Sequence, residues 1–221
     1  SRRRHTRFRN VTGVQTCALP ICGALGLAAG PLLAGLASPG AAFAQASAGS
    51  VLRLATGEAG RQLAGGGWVL MMRHEQTVPG IGDPPNFRLD DCSTQRNLSE
   101  SGRLRARRAG QAMREAGIVL SEVRAGRWCR TRDTAQLAFG QYEIWTALDS
   151  FFGSAERADA QRDAVLDFAR AMSGPGNVML VTHQVNITAS LAVYPEMGEV
   201  VAARVEGGVL RPRLSFVPGS A

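Results

Sequence analysis

Arg73-His74-Glu75 directly follows the apolar run Trp68-Val69-Leu70-Met71-Met72, and His183 directly follows Asn177-Val178-Met179-Leu180-Val181-Thr182. These are the only histidines beyond the first five residues. Imidazole is neutral yet basic near pH 7, so it can serve as nucleophile, base or hydrogen-bond donor. The guanidinium of Arg73 presents a planar fork suited to an oxyanion. Arg130, after a third apolar stretch, adds a second. Taken singly, an Arg-His pair at a strand end reads as a solvated edge, and a lone histidine as a hydrogen-bonded structural residue. Taken together and in order, they describe a site for an anionic substrate.

Such a site needs elements that deliver these side chains to one place. Short apolar runs separated by helical patterns read as parallel strands covered on both faces, and ligands sit outside the carboxyl ends of such strands. An amphipathic helix over Thr56–Leu63 leads through Gly65-Gly66-Gly67 into the first histidine-bearing strand. After His74 comes a long Pro/Gly-rich loop, Gln76–Asn97, of the kind that is usually functional. Ser99 caps a helix to about Ala116 with Gly117 at C′. A strand near Glu122–Trp128 delivers Cys129 and Arg130, followed by a helix over Thr131–Ala138 and a strand over Tyr142–Trp145. Asp149-Ser150-Phe151-Phe152 reads as a loop. Ala155–Met172 is a helix with Ala164, Val165, Phe168 and Met172 on one face. After His183 come a helix over Val185–Val193 and two strands, Glu199–Val205 and Val209–Phe216, joined at Gly207-Gly208 as a hairpin. This alternation predicts an α/β fold, a three-layer α/β/α sandwich with a mostly parallel central sheet.

The 221-residue chain carries a formal charge of +7. Residues 1–21 hold five of its arginines and no acid; the rest has 20 arginines against 18 acids, ordinary for a soluble domain. Arg103, Arg105, Arg107, Arg108 and Arg114 fall on one expected helix with few aromatics nearby, a solvated face rather than a nucleic-acid stripe. Residues 1–21 resemble translated sequencing-adapter read-through and are set aside; the alternative is the Arg-rich start of an export signal. Residues 22–46 are almost all Ala, Gly, Leu and Pro without charge, end in Ala-Phe-Ala-Gln-Ala, and read as the remnant of an export signal peptide interrupted by Gly30, Pro31 and Gly35. That leaves residues 50–221 as the folded domain, expected in the periplasm without a stable membrane span. In an oxidising compartment Cys92 and Cys129 are equally readable as a disulfide or as two small buried thiols.

Arg73-His74-Glu75, Leu98-Ser99-Glu100-Ser101-Gly102, Arg130-Thr131-Arg132-Asp133-Thr134-Ala135 and Thr182-His183 together resemble the histidine phosphatase superfamily, the phosphoglycerate-mutase-like group. The resemblance spans about residues 67–191. It implies a metal-independent phosphomonoester hydrolase, with no cofactor and a small phosphorylated substrate. His74 would be the transient phosphohistidine, while Arg73, Arg130 and His183 would bind the phosphoryl oxygens. Glu75, Asp83 and Asn97 are the further candidates for substrate contact. A non-catalytic phosphoryl-binding or scaffold protein of the same fold is the alternative, and export disfavours a mutase acting on cytosolic sugar phosphates.

Two departures from the family pattern stand out. Gln184 follows the second histidine where glycine is common, and Gly126 stands where a serine often precedes the arginine element. The general acid is open between two carboxylates. Asp149, beside Phe151 and Phe152, is slightly preferred because a proton-donating carboxyl needs a partly desolvated setting. Asp83, in the loop after the nucleophile, is its competitor.

Overall fold

The computed structural model describes residues 51–220. The adapter-like segment, the export signal, Cys17 and Cys22 lie outside the described residues. Seven strands, β1 (Leu52–Arg53), β2 (Val69–Arg73), β3 (Leu120–Ala125), β4 (Glu143–Ile144), β5 (Asn177–Thr182), β6 (Val200–Glu206) and β7 (Val209–Phe216), form one sheet in the order β1-β7-β6-β2-β5-β3-β4. β2, β5, β3 and β4 pair in parallel, as do β1 and β7, while β6 runs antiparallel to both β2 and β7. The sheet is therefore mostly parallel, with the expected C-terminal hairpin inserted beside β2.

Helices α1 (Thr56–Leu63), α2 (Glu100–Glu115), α3 (Cys129–Phe139), α4 (Ala158–Ala171) and α5 (Gln184–Leu191) complete the fold. Alternate side chains of β2 enter opposite layers, as the two-residue period of a strand requires. Leu70 and Met72 pack with Ala59 and Leu63 of α1, Ala109 and Met113 of α2 and Ala135 of α3. Val69 and Met71 pack with Val165 and Ala169 of α4 and Ile187 and Leu191 of α5. The result is a three-layer sandwich in which β2 and β5 are buried on both faces.

α2 begins where Ser99 Oγ accepts the Gly102 amide at 3.1 Å. It ends with Ile118 N bonding Met113 O and Gly117 N bonding Arg114 O, a Schellman closure around Gly117 at φ +72°. Several boundaries differ from expectation, among them that β4 is confined to Glu143–Ile144 and α5 to Gln184–Leu191. β3 starts and stops earlier: Gly126 N still donates to Val181 O, but Arg127 turns away to meet Asp149. α3 begins at Cys129 rather than Thr131, capped by extended Trp128, whose carbonyl receives Thr131 N and Arg132 N, both at 3.0 Å. A 3-10 turn, Ala155–Arg157, precedes α4. β1, at two residues, is too short to show a periodicity.

Candidate active site

The β2–β5 register sets the two histidines side by side. Arg73 lies opposite Thr182, and His74 N donates to Thr182 O at 2.9 Å, continuing the ladder one residue past β2. The imidazole rings of His74 and His183 stand 5.3 Å apart between centroids, edge to face. Both are buried. His74 Nδ1 is 2.9 Å from the Glu75 carbonyl oxygen. A carbonyl can only accept, so Nδ1 carries the proton and Nε2 keeps its lone pair. Burial, followed by the charge of Arg130 and more weakly Arg73 and Arg96, holds the His74 pKa at about 3, against the pull of the Glu75 carbonyl. Burial and then Arg130 push His183 well down in the same direction. Both imidazoles are neutral at physiological pH.

Arg130 enters from the first turn of α3. Thr134, four residues on, donates its hydroxyl to Arg130 O at 2.8 Å and accepts Glu75 N at 3.0 Å. That hydroxyl couples the arginine helix to the backbone just after His74, which explains the four-residue spacing between Arg130 and Thr134. The glycine of the Leu98–Gly102 element also has a steric cause. A Cβ on Gly102 would lie 2.0 Å from Gln76 O, so only glycine lets α2 start against this backbone. Gly126 is confined likewise: its Cβ would fall 2.5 Å from Leu148 O, leaving no room for the serine of the family pattern.

A cavity of about 630 Å³ opens at these strand ends, within the usual range for small-molecule sites. Arg73, His74, Asp83, Arg130 and His183 line it, as expected. Arg96, Phe87, Trp128, Phe152 and Gln184 also line it and were not anticipated in the site. Among the described residues, Arg73 Nε, Arg96 Nε, Arg130 Nε and His183 Nε2 are buried without a hydrogen-bond partner. Buried polar atoms are almost always satisfied, and four of the unsatisfied ones belong to residues that line this one cavity. The charged lining is three guanidiniums against the Asp83 carboxylate. Burial and then Arg96 depress the Arg73 pKa, the signature of like charges crowded together.

Asp83 is tied into this group. Its Oδ1 accepts Arg130 Nη1 at 2.8 Å and Arg96 N at 3.0 Å, and its Oδ2 accepts Trp128 Nε1 at 3.1 Å. Burial raises its pKa, but the bond and charge of Arg130, with the Arg96 and Trp128 donors, lower it more, so the carboxylate is ionised. The loop that carries Asp83 and Arg96 is anchored to the α3 start by a Cys92–Cys129 disulfide and by Cys129 N donating to Gln95 Oε1 at 2.9 Å.

Three candidates fall outside the cavity wall. Asp149, preferred as the acid, is 1% exposed with both oxygens committed to Arg127: N at 2.8 Å, Nε at 2.7 Å and Nη2 at 2.6 Å. It locks the exit of β3 rather than facing a substrate. The Glu75 carboxylate turns away from the cavity, accepting Arg105 Nε at 2.9 Å, and only its backbone carbonyl meets His74. Asn97 donates Nδ2 to Cys92 O at 2.6 Å, a contact inside the loop, and its neighbour Arg96 takes the site position. In an extended segment adjacent side chains face opposite ways, so an arginine next to a favoured polar residue was the available sign.

No protein-family model matches the sequence, nor does any curated protein. Solved structures do match. The open reading frame Rv3214 from Mycobacterium tuberculosis superposes with a TM-score of 0.52 at 18% identity, covering 69% of this chain and 98% of that one. A phosphoserine phosphatase mutant from Entamoeba histolytica in complex with phosphoserine gives 0.50 at 9% identity, covering 67% and 95%. The protein histidine phosphatase SixA complexed with tungstate gives 0.48 at 11% identity, covering 68% and 97%. At these identities the likeness is one of fold: this chain shares the fold of the first two of these proteins.

Proposed function

We propose that the protein is a metal-independent phosphomonoester hydrolase that works through a phosphohistidine on His74 Nε2. The observation that carries this reading is the convergence of four unpartnered buried nitrogens on a neutral histidine whose Nδ1 is already committed. A phosphoryl group in transfer spreads negative charge over its equatorial oxygens, and catalysis is chiefly positioning and electrostatic stabilisation. Arg73, Arg96, Arg130 and His183 supply the donors. Three arginines less one carboxylate complement the charge of a phosphomonoester, about −1.5 to −2 at pH 7, better than the single charge of a diester.

The chemistry follows in two displacements. His74 Nε2 attacks phosphorus, and the alcohol leaves with a proton. Water then attacks the phosphohistidine and releases inorganic phosphate. We assign the proton to Asp83, the carboxylate that lines the cavity. An incoming phosphoryl group competes for Arg130 and adds negative charge beside Asp83, and both effects raise its pKa. The acid thus takes up its proton as the substrate arrives. The location we infer is the periplasm, supported by the uncharged Ala/Gly/Leu segment of residues 23–46 and by the disulfide. Among the described residues no helix is long and apolar enough to cross a membrane.

The test uses the full chain with p-nitrophenyl phosphate. Rapid quench should trap acid-labile phosphate on His74, and His74→Ala should abolish both trapping and turnover while leaving the circular dichroism unchanged. Wild-type rates from the variant would refute the nucleophile assignment.

A further inference from the structure

The cavity changes character with height. Its floor is arginine and histidine, but the wall above is Ile81, Pro84, Pro85, Phe87, Trp128 and Phe152. Resting on the phosphomonoester reading above, we propose that the substrate is a phosphomonoester whose alcohol half is apolar, an alkyl, prenyl or aromatic chain rather than a sugar.

Three large apolar side chains stand exposed around this opening: Ile81 at 93%, Phe152 at 69% and Phe87 at 38%. Scattered singly, exposed apolar residues need no explanation. Here they converge on one cavity, directly over the anion floor. Phe87 and Trp128 pack ring to ring with centroids 5.7 Å apart, forming a continuous aromatic surface. The single polar atom of the Trp128 side chain is spent on Asp83, so the indole offers a ligand only its ring. Pro84 and Pro85 have no N–H to donate. The neutral polar side chains on the wall are Ser150 and Gln184, and Ser150 Oγ already accepts Phe152 N at 3.3 Å.

A sugar phosphate bound here would lay several hydroxyls against carbon, losing their water without gaining partners. A hydrocarbon chain would bury its own surface and that of the exposed rim together. The charged groups do not call for a second anionic substituent either. Arg96 bonds the Gly80 carbonyl through Nη1, and like Arg73 and Arg130 it lines the cavity with its Nε buried and unpartnered. The ligand class is therefore one dianionic phosphate joined to an apolar body.

The experiment measures binding and turnover separately on the full chain. Dissociation constants for ethyl, butyl, hexyl and octylphosphonate, which cannot be hydrolysed, are read by calorimetry. Affinity should rise about two- to fourfold per methylene until the wall is covered. In turnover, kcat/KM for octyl phosphate should exceed that for glucose 6-phosphate at least tenfold, although the sugar is the better leaving group. The double variant Ile81→Ser/Phe152→Ser should narrow the octyl-to-ethyl affinity ratio at least fivefold. Affinity independent of chain length, a preference for glucose 6-phosphate, or an unchanged ratio in the variant would overturn the proposal while leaving the phosphatase reading intact. Chain-dependent phosphonate binding without turnover of any ester would do the reverse.

Discussion

Asp83 Oδ1 and Arg130 Nη1 stand 2.8 Å apart in the cavity, so the proposed acid and the arginine proposed to hold the phosphoryl group are already ion-paired. Removing the carboxylate should hurt substrates in proportion to how badly their leaving group needs a proton. Asp83→Asn should slow an alkyl phosphate by about a hundredfold or more, and p-nitrophenyl phosphate far less, since nitrophenolate departs unaided. Asp149→Asn should show no leaving-group dependence and should instead lower stability, because it disturbs the clamp on Arg127. Steady-state kinetics on the two esters, beside urea unfolding, separate the cases. Leaving-group dependence in Asp149→Asn alone would return the acid role to Asp149.

The neutral histidines link folding to pH. In the unfolded chain each imidazole titrates near 6.5, whereas folded His74 is held at about 3 and His183 also well down. Below pH 6.5 the unfolded state therefore binds protons that the folded state refuses. Stability should fall as pH drops from about 6.5 toward 3, by up to about 1.4 kcal/mol per pH unit for each histidine, and be flat in this respect above 6.5. Urea unfolding of the wild type and His183→Gln between pH 7 and 4 checks it. The variant should have the shallower slope, and equal slopes would contradict buried neutral imidazole.

Reduction should affect catalysis as well as stability. The Cys92–Cys129 bridge closes 37 residues, for which the chain-entropy relation gives about 4 kcal/mol. The same bridge holds the loop bearing Asp83 and Arg96 against α3. The double variant Cys92→Ser/Cys129→Ser should lose about 2–5 kcal/mol of stability and show a raised KM for any phosphomonoester. A variant with wild-type KM would mean that Gln95 and Asp83 hold the loop unaided.

Activity should persist in chelator. The donors aimed at the cavity are guanidinium and imidazole groups, and among the described residues no three His, Cys, Asp or Glu side chains cluster as a metal site. Turnover lost in EDTA and restored by a divalent ion would rule out a reaction carried by these side chains and Asp83 without a metal.

What the sequence disclosed, and what it did not, follows physical lines. α1 and β7 are bounded as expected, because amphipathic periodicity and a Gly-Gly turn are local signals. Arg73, His74 and His183 were legible as cavity residues because each ends or follows an apolar run that forms a central strand, whereas Arg130, after the mixed stretch of β3, was legible through the spacing of its motif. Arg96, Phe87 and Trp128 were not. Their place depends on how a 22-residue loop is pinned by a disulfide and by Gln95, contacts between residues far apart in the chain. Asp149 was misjudged for a related reason. Its aromatic neighbours promised desolvation, but Arg127, 22 positions away and in no motif, occupies both its oxygens.

The Thr134 hydroxyl has one proton, given to Arg130 O, and so must receive Glu75 N. The backbone just after His74 and the start of α3 that carries Arg130 are thereby fastened into one body, at the seam between a buried strand and a helix. The apolar wall belongs to other segments, the loop of Ile81 and Phe87 and the corner of Phe152. On the mechanism proposed above, substitutions at Ile81, Phe87 or Phe152 would retune which alcohol is accepted with Arg73, His74, Arg130 and His183 left in place, although Asp83 and Arg96 share the loop of Ile81 and Phe87. On that reading the floor of Arg73, His74, Arg130 and His183 and most of the apolar wall that would select the alcohol sit on different segments of the chain.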